Sequence, residues 1–122
     1  MTDYRLTLED MPAYLHAHVV GDRTAENAMR FLKEVAMACM ASGKSAVLLE
    51  MRFTGPSLDM ASIFRVVSQG SAEGSKLRKI AYVEANMDDP GRARFAETVG
   101  INRNVNVRLF EDMASARRWL EE

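Results

Sequence analysis

Two short segments constrain this chain more than any other. Ser45 to Met51 (SAVLLEM) and Lys79 to Ala85 (KIAYVEA) are nearly continuous apolar runs. A strand with one wet face would alternate, so these runs mark strands covered on both sides. Between them, Leu58 to Gln69 places Met60, Ile63, Phe64 and Val67 along one side of a helix. Buried strand, helix and buried strand make a parallel crossover unit, because parallel neighbours need a long connection between them.

The flanking sequence extends this pattern. Tyr4, Leu6 and Leu8 alternate with Arg5, Thr7 and Glu9, and Asp10-Met11-Pro12 breaks the run. Ala13 to Val20 alternates again, with Ala13, Leu15, Ala17 and Val19 on one face and Tyr14, His16, His18 and Val20 on the other. The pair predicts an antiparallel hairpin. Asp22 or Thr24 then caps a helix that carries Ala28, Leu32, Val35, Ala36 and Cys39, with Gly43 as its left-handed terminator. Ser57 is the expected cap of the 57–69 helix, and Gly70 to Ser75 reads as a flexible link after it. Asp89-Pro90 opens a third helix that Gly100 closes, Val105 to Phe110 alternates as a last strand, and Asp112 caps a final helix with Met113, Ala116 and Leu120 on one face. The predicted fold is α/β, ordered β-β-α-β-α-β-α-β-α. It has a mostly parallel central sheet, an N-terminal antiparallel hairpin and four helices, in a single domain over residues 1–122.

Charge and motifs narrow the function classes. Sixteen basic against seventeen acidic residues give a net charge of -1, which argues against nucleic acid as a partner. The single cysteine, Cys39, lies within an apolar helical stripe and reads as a small core residue. MTDYRLTLED is charged at once and holds no signal-type apolar segment, and nothing approaches a membrane span, so the expected location is cytoplasmic. Nucleotide-binding glycine patterns, CxxC, HExxH and GxSxG are all absent, so the expectation is a non-enzyme without cofactor. His16 and His18 share a strand face but lack a third ligand, so no metal site is predicted; with Tyr14 they form a face through which two copies could pair as a homodimer. Glu50, Arg52, Glu84 and Asn86 should gather at the carboxyl ends of the strands, where open α/β sheets bind ligands. The helix after Ser57 is apolar over most of its surface, which suits either burial or a lid swinging on the Gly-Ser segment.

The strand SAVLLEM, the entry GPSLDMASIF, the strand KIAYVEA and the ending RFAETVGINRNVNVRLFEDMASARRWLEE together resemble the STAS-domain fold, and more closely the bacterial SpoIIAA-like family. That resemblance covers nearly the whole chain and implies a regulatory or protein-interaction role. In anti-sigma factor antagonists of this fold, a strand end leads to an Asp-Ser-Ser-Gly loop whose second serine is phosphorylated. Here Asp59 matches the loop aspartate, Met60 and Ala61 fall on the two serines, and Ser62 falls on the glycine. Ser57, Asp59 and Ser62 are the switch-loop equivalents, and the phosphoacceptor itself is missing. The family is also similar in fold to lipid-carrying CRAL-TRIO domains. This implies an alternative: a small apolar ligand or a membrane surface bound beneath a mobile helix 57–69. Phe53, Met60, Phe64 and Val67 would line such a site, with Arg65, Lys76, Arg78 and Lys79 near anionic headgroups.

Overall fold

The computed structural model describes residues 4–122; Met1 to Asp3, the start of the N-terminal segment read above, lie outside them. The elements are β1 (Tyr4–Asp10), β2 (Leu15–Asp22), α1 (Ala25–Ser42), β3 (Ala46–Thr54), α2 (Met60–Gly74), β4 (Lys79–Glu84), α3 (Pro90–Asn102), β5 (Val107–Leu109) and α4 (Met113–Glu121). They form one mixed sheet in the order β1-β2-β3-β4-β5, with β1 antiparallel to β2 and the other pairs parallel. The strand order follows the chain order, and crossovers between parallel strands are right-handed. Each crossover helix therefore falls on the same face, and α1, α2 and α3 do so.

The sheet accordingly has two unequal sides. On the three-helix side, Leu15, Ala17 and Val19 of β2 and Val47, Leu49 and Phe53 of β3 meet Phe31, Val35 and Cys39 of α1 and Val66 of α2. Phe31 and Phe53 pack edge to face with ring centroids 6.2 Å apart. On the other side, among the described residues, α4 is the one helix that covers the strands. Ala116 and Leu120 sit on Ala46, Leu48 and Ala81, and the three alanines let the helix come close. Trp119 lies at the border of that patch, where Lys79 Nζ donates to its carbonyl at 2.7 Å and stands 5.1 Å from its ring centroid.

The helix ends follow local rules. Thr24 caps α1 by accepting from the Asn27 N–H, and Gly43 ends it at φ 72, where a Cβ would be strained. Asp112 caps α4 through the Ser115 N–H. Pro90 opens α3 as expected, but Gly100 does not close it: the helix runs on to Asn102. Gly100 is instead a packing glycine, since a Cβ there would meet Val107 Cγ1 at 2.8 Å.

Three further expectations change. β3 runs to Thr54 rather than stopping at Met51, because it pairs with β2 through Asp22↔Thr54. Tyr14 is 1% exposed, under α4 with Leu48 and Ala81, so the open face keeps His16 and His18 without it. The cap of α2 is Asp59, whose side chain accepts from the Ser62 N–H at 2.7 Å. The helix then continues to Gly74, so the stretch read as a flexible link forms its last turns. Both glycines there lie over apolar neighbours, Gly70 beside Leu32 and Gly74 beside Val105 and Ile80. Asp59→Ala should lower the melting temperature and helix content, with Asp59→Asn restoring most of both. Ser57→Ala should leave the helix content unchanged. Circular dichroism of the three variants checks the assignment.

Candidate functional site

Among the four helices, α2 makes the fewest close approaches to the strands; its neighbours are α1 on one side and α3 on the other. Only Ile63 and Val66 of this helix are buried. Beneath and beside it lies an apolar cleft of about 570 Å³. Val47, Leu49 and Phe53 of β3 and Ile80 of β4 form its floor, Leu32 and Val35 one wall, and Ala93 and Ala96 the other. Met37 and Met40, both well exposed on α1, also border it. A volume of this size lies within the usual range for small-molecule sites.

One end of the cleft is polar, and it is built on Arg23. This side chain is 5% exposed and leaves the chain just past β2. Its Nε donates to Glu84 Oε2 at 3.2 Å. Nη2 faces the carbonyls of Phe53, Ala85 and Asn86 at 3.0, 3.2 and 3.1 Å, and Nη1 donates to the carbonyl of Gly55. Arg23 thus ties the ends of β2, β3 and β4 together and anchors the loop that leads to α2. The Tyr82 hydroxyl donates to Glu84 Oε1, and burial first, then the Glu84 charge, pushes that phenol well above its usual range. Asn86 takes φ 62 to close the corner and donates to the Phe53 carbonyl at 3.3 Å.

A second set of contacts straps the same loop to the β4–α3 connection. Ser57 donates to Asp88 Oδ1 through its hydroxyl and, at 3.2 Å, through its N–H. Arg92 donates to the Leu58 carbonyl and lies 3.2 Å from Asp89 Oδ2. Asp88 is held below the usual carboxylate range, first by the Ser57 hydroxyl; Asp59 is held low by the Ser62 N–H and Asp112 by the Ser115 N–H.

The structure divides the residues singled out from sequence. Phe53 and Val67 line the cleft; Met60 and Phe64 do not, but stand about half exposed on the outer side of α2, with Arg103 5.1 Å from the Phe64 ring centroid. Arg65, Lys76 and Arg78 are exposed, whereas Lys79 points to the α4 side and is engaged by Trp119. Ser57, Asp59 and Ser62 are together at the start of α2, each with a partner already named. Glu50 and Glu84 do not converge. Glu50 pairs with Val83 and Glu84 with Met51, so alternation sends the two carboxylates to opposite faces. Glu50 joins His16, at 2.8 Å, in a shallow hollow on the open face with Thr7, Glu9 and His18. Among the described residues, no three metal-ligating side chains converge, and no helix is long and apolar enough to cross a membrane.

Sequence reasoning missed Arg23 altogether, since nothing marks an arginine after Gly21-Asp22 as buried. Tyr82 and Glu84 did leave a signal: they are two apart in an otherwise aliphatic strand, and so share its face.

A family model described as SpoIIAA-like matches residues 5–121. No curated protein sequence matches the chain significantly. A crystal structure of an anti-sigma factor antagonist from Mycobacterium paratuberculosis is similar with a TM-score of 0.65 at 13% identity, over 98% of this chain and 95% of that one. An uncharacterised protein of the DUF3478 family from Shewanella loihica PV-4, with a SpoIIAA-like fold, is similar with a TM-score of 0.60 at 17% identity over the same shares.

Removing Arg23 leaves Glu84 buried without its charge partner and takes a donor from five acceptors, of which Glu84 keeps Tyr82 and the Phe53 carbonyl keeps Asn86. Arg23→Ala should therefore cost about 3–5 kcal/mol in urea unfolding. Arg23→Met with Glu84→Leu should cost less than the two single changes added together. Acid should act through the three lowered aspartates. A folded-state pKa below the unfolded one stabilises the fold above the ordinary value and is lost as pH falls through the lowered one. The melting temperature should hold from neutrality to about pH 4 and fall below it, with Asp88→Asn flattening part of that fall.

Proposed function

The chain belongs to the SpoIIAA-like family, and from that premise we propose that it is a non-enzymatic regulatory domain that reads the presence of a small apolar ligand. The observation that carries this reading is the apolar cleft of about 570 Å³ beneath α2. Concave, mostly apolar clefts of this size are where small molecules usually bind. Here the space lies where the helix stands off the sheet, so an occupant would bear directly on the position of α2. The outer side of that helix presents Met60 and Phe64 to solvent, and a protein partner would meet the helix there. Ligand and partner would then act on opposite sides of one element.

The fold of an anti-sigma factor antagonist supports a role in protein interaction, and we propose that this role runs without a serine phosphoswitch. By the family resemblance Met60 and Ala61 fall on the two serines, and the Ser57 hydroxyl is already committed to Asp88. The exposed cations Arg65, Lys76 and Arg78 are the candidates for contact with anionic headgroups.

Native mass spectrometry of the purified protein should show a population heavier by a few hundred daltons that organic extraction removes. Ala96→Leu adds three carbons to the lining of the cleft. It should raise stability by about 1 kcal/mol while abolishing the heavier population and the binding of an apolar fluorophore. A destabilised variant that still binds the fluorophore would place the binding elsewhere.

A further inference from the structure

The cleft has a chemically one-sided polar end. Arg23 carries five N–H groups: that of Nε faces Glu84, the two of Nη2 are shared among the carbonyls of Phe53, Ala85 and Asn86, and one of the two on Nη1 faces the carbonyl of Gly55. At most one N–H of that guanidinium, on Nη1, is left for a guest. The acceptors have more to spare. A carboxylate offers about four lone-pair positions and a phenol oxygen two. Glu84 uses one position for Arg23 and one for Tyr82, and the Tyr82 oxygen spends only its proton. Both residues line the cleft.

The charge is balanced as well. The Glu84 side chain is 11% exposed, and Arg23 neutralises it. An anionic guest at this end would meet a carboxylate, with at most the single Nη1 N–H beside it and a guanidinium whose charge Glu84 already compensates. A cationic guest would surrender its hydration to a carboxylate whose charge is already compensated. An uncharged donor loses neither way: it satisfies a spare acceptor at the modest desolvation cost of a hydroxyl. The remaining cations of the lining are Lys33 and Arg92. Lys33 is exposed on α1, and Arg92 is drawn to Asp89 and to the Leu58 carbonyl.

We infer that the buried end of the cleft selects an apolar molecule that carries an uncharged hydroxyl, and discriminates against the matching carboxylate. The inference rests on the reading of the cleft as a ligand site and adds the chemistry of the guest's head. A long-chain alcohol fits it; a free fatty acid does not.

The test is displacement of cleft-bound N-phenyl-1-naphthylamine by dodecanol, dodecanoate and dodecylammonium at pH 8, each below its micelle concentration. Dodecanol should displace the fluorophore at a concentration at least about tenfold lower than either ion, a difference worth about 1.4 kcal/mol. In Glu84→Gln the amide keeps an acceptor and gains a donor, so the alcohol's advantage over the carboxylate should shrink to within about threefold. The melting temperature of that variant establishes that it is folded, and the ranking on the unchanged protein stands without it. Dodecanoate binding as well as dodecanol overturns the head-group inference alone. A fluorophore that never binds, or that no dodecyl compound displaces, overturns the cleft reading and the inference together.

Discussion

The proportions of this molecule follow from a mismatch of widths. Strands in a sheet repeat every ~4.8 Å, whereas packed helices need about 8–10 Å between axes. Folds that send crossover helices to both faces relieve the crowding. Here the strand order is the chain order, so three crossover helices share one face, above strands that advance only half as fast as the helices do. The outer two settle on the sheet, and the middle one rides between them. The cleft beneath α2 and the thinly covered opposite face, with α4 alone, are two results of the same constraint.

A helix that stands off its sheet gains less from burial and depends more on how its ends are held. The N-terminal end of α2 is held three times over, by Arg23 at Gly55, by Asp88 at Ser57 and by Arg92 at Leu58. Each tie is polar; the first comes from the end of β2, the other two from the β4–α3 connection and the first turn of α3. The C-terminal end rests on Ile80 and Val105 through the bare backbone of Gly74. This division lets the start of the helix be fixed by hydrogen bonds while its middle lies over empty space. An occupant of the cleft would press on the part with the least direct support.

Much of the architecture was legible because it depends on short-range periodicity. The two apolar runs, the alternating hairpin, Thr24, Gly43, Pro90 and Asp112 each act within a few residues of chain. What sequence misread turned on partners far along it. Ser57 and Asp59 are both good caps by composition, and Asp88, 31 residues later, claims the serine. Gly70 and Gly74 read as a link because glycine favours one, but neighbouring Leu32 and Val105 reward the missing side chains with close packing. Tyr14 belonged to the right face, yet only the return of α4 decides that this part of the face is covered. The site divides in the same way: Phe53 and Val67 were among the residues that the family resemblance implied, while Arg23 is defined by carbonyls and a carboxylate distant in sequence.

The placement of Trp119 bears on how the molecule can be watched. It is the one tryptophan of the chain, 5.5 Å from the Phe110 ring centroid and flanked by Lys79 and Arg108, on the α4 side of the sheet. The cleft lies on the other side. Intrinsic emission excited in the red edge of the ultraviolet therefore reports on α4 and on global unfolding, and is shielded from a guest by the full thickness of the sheet. A spectral change on filling the cleft would accordingly be a signal transmitted through the strands, which makes this natural fluorophore a detector of coupling between the two faces.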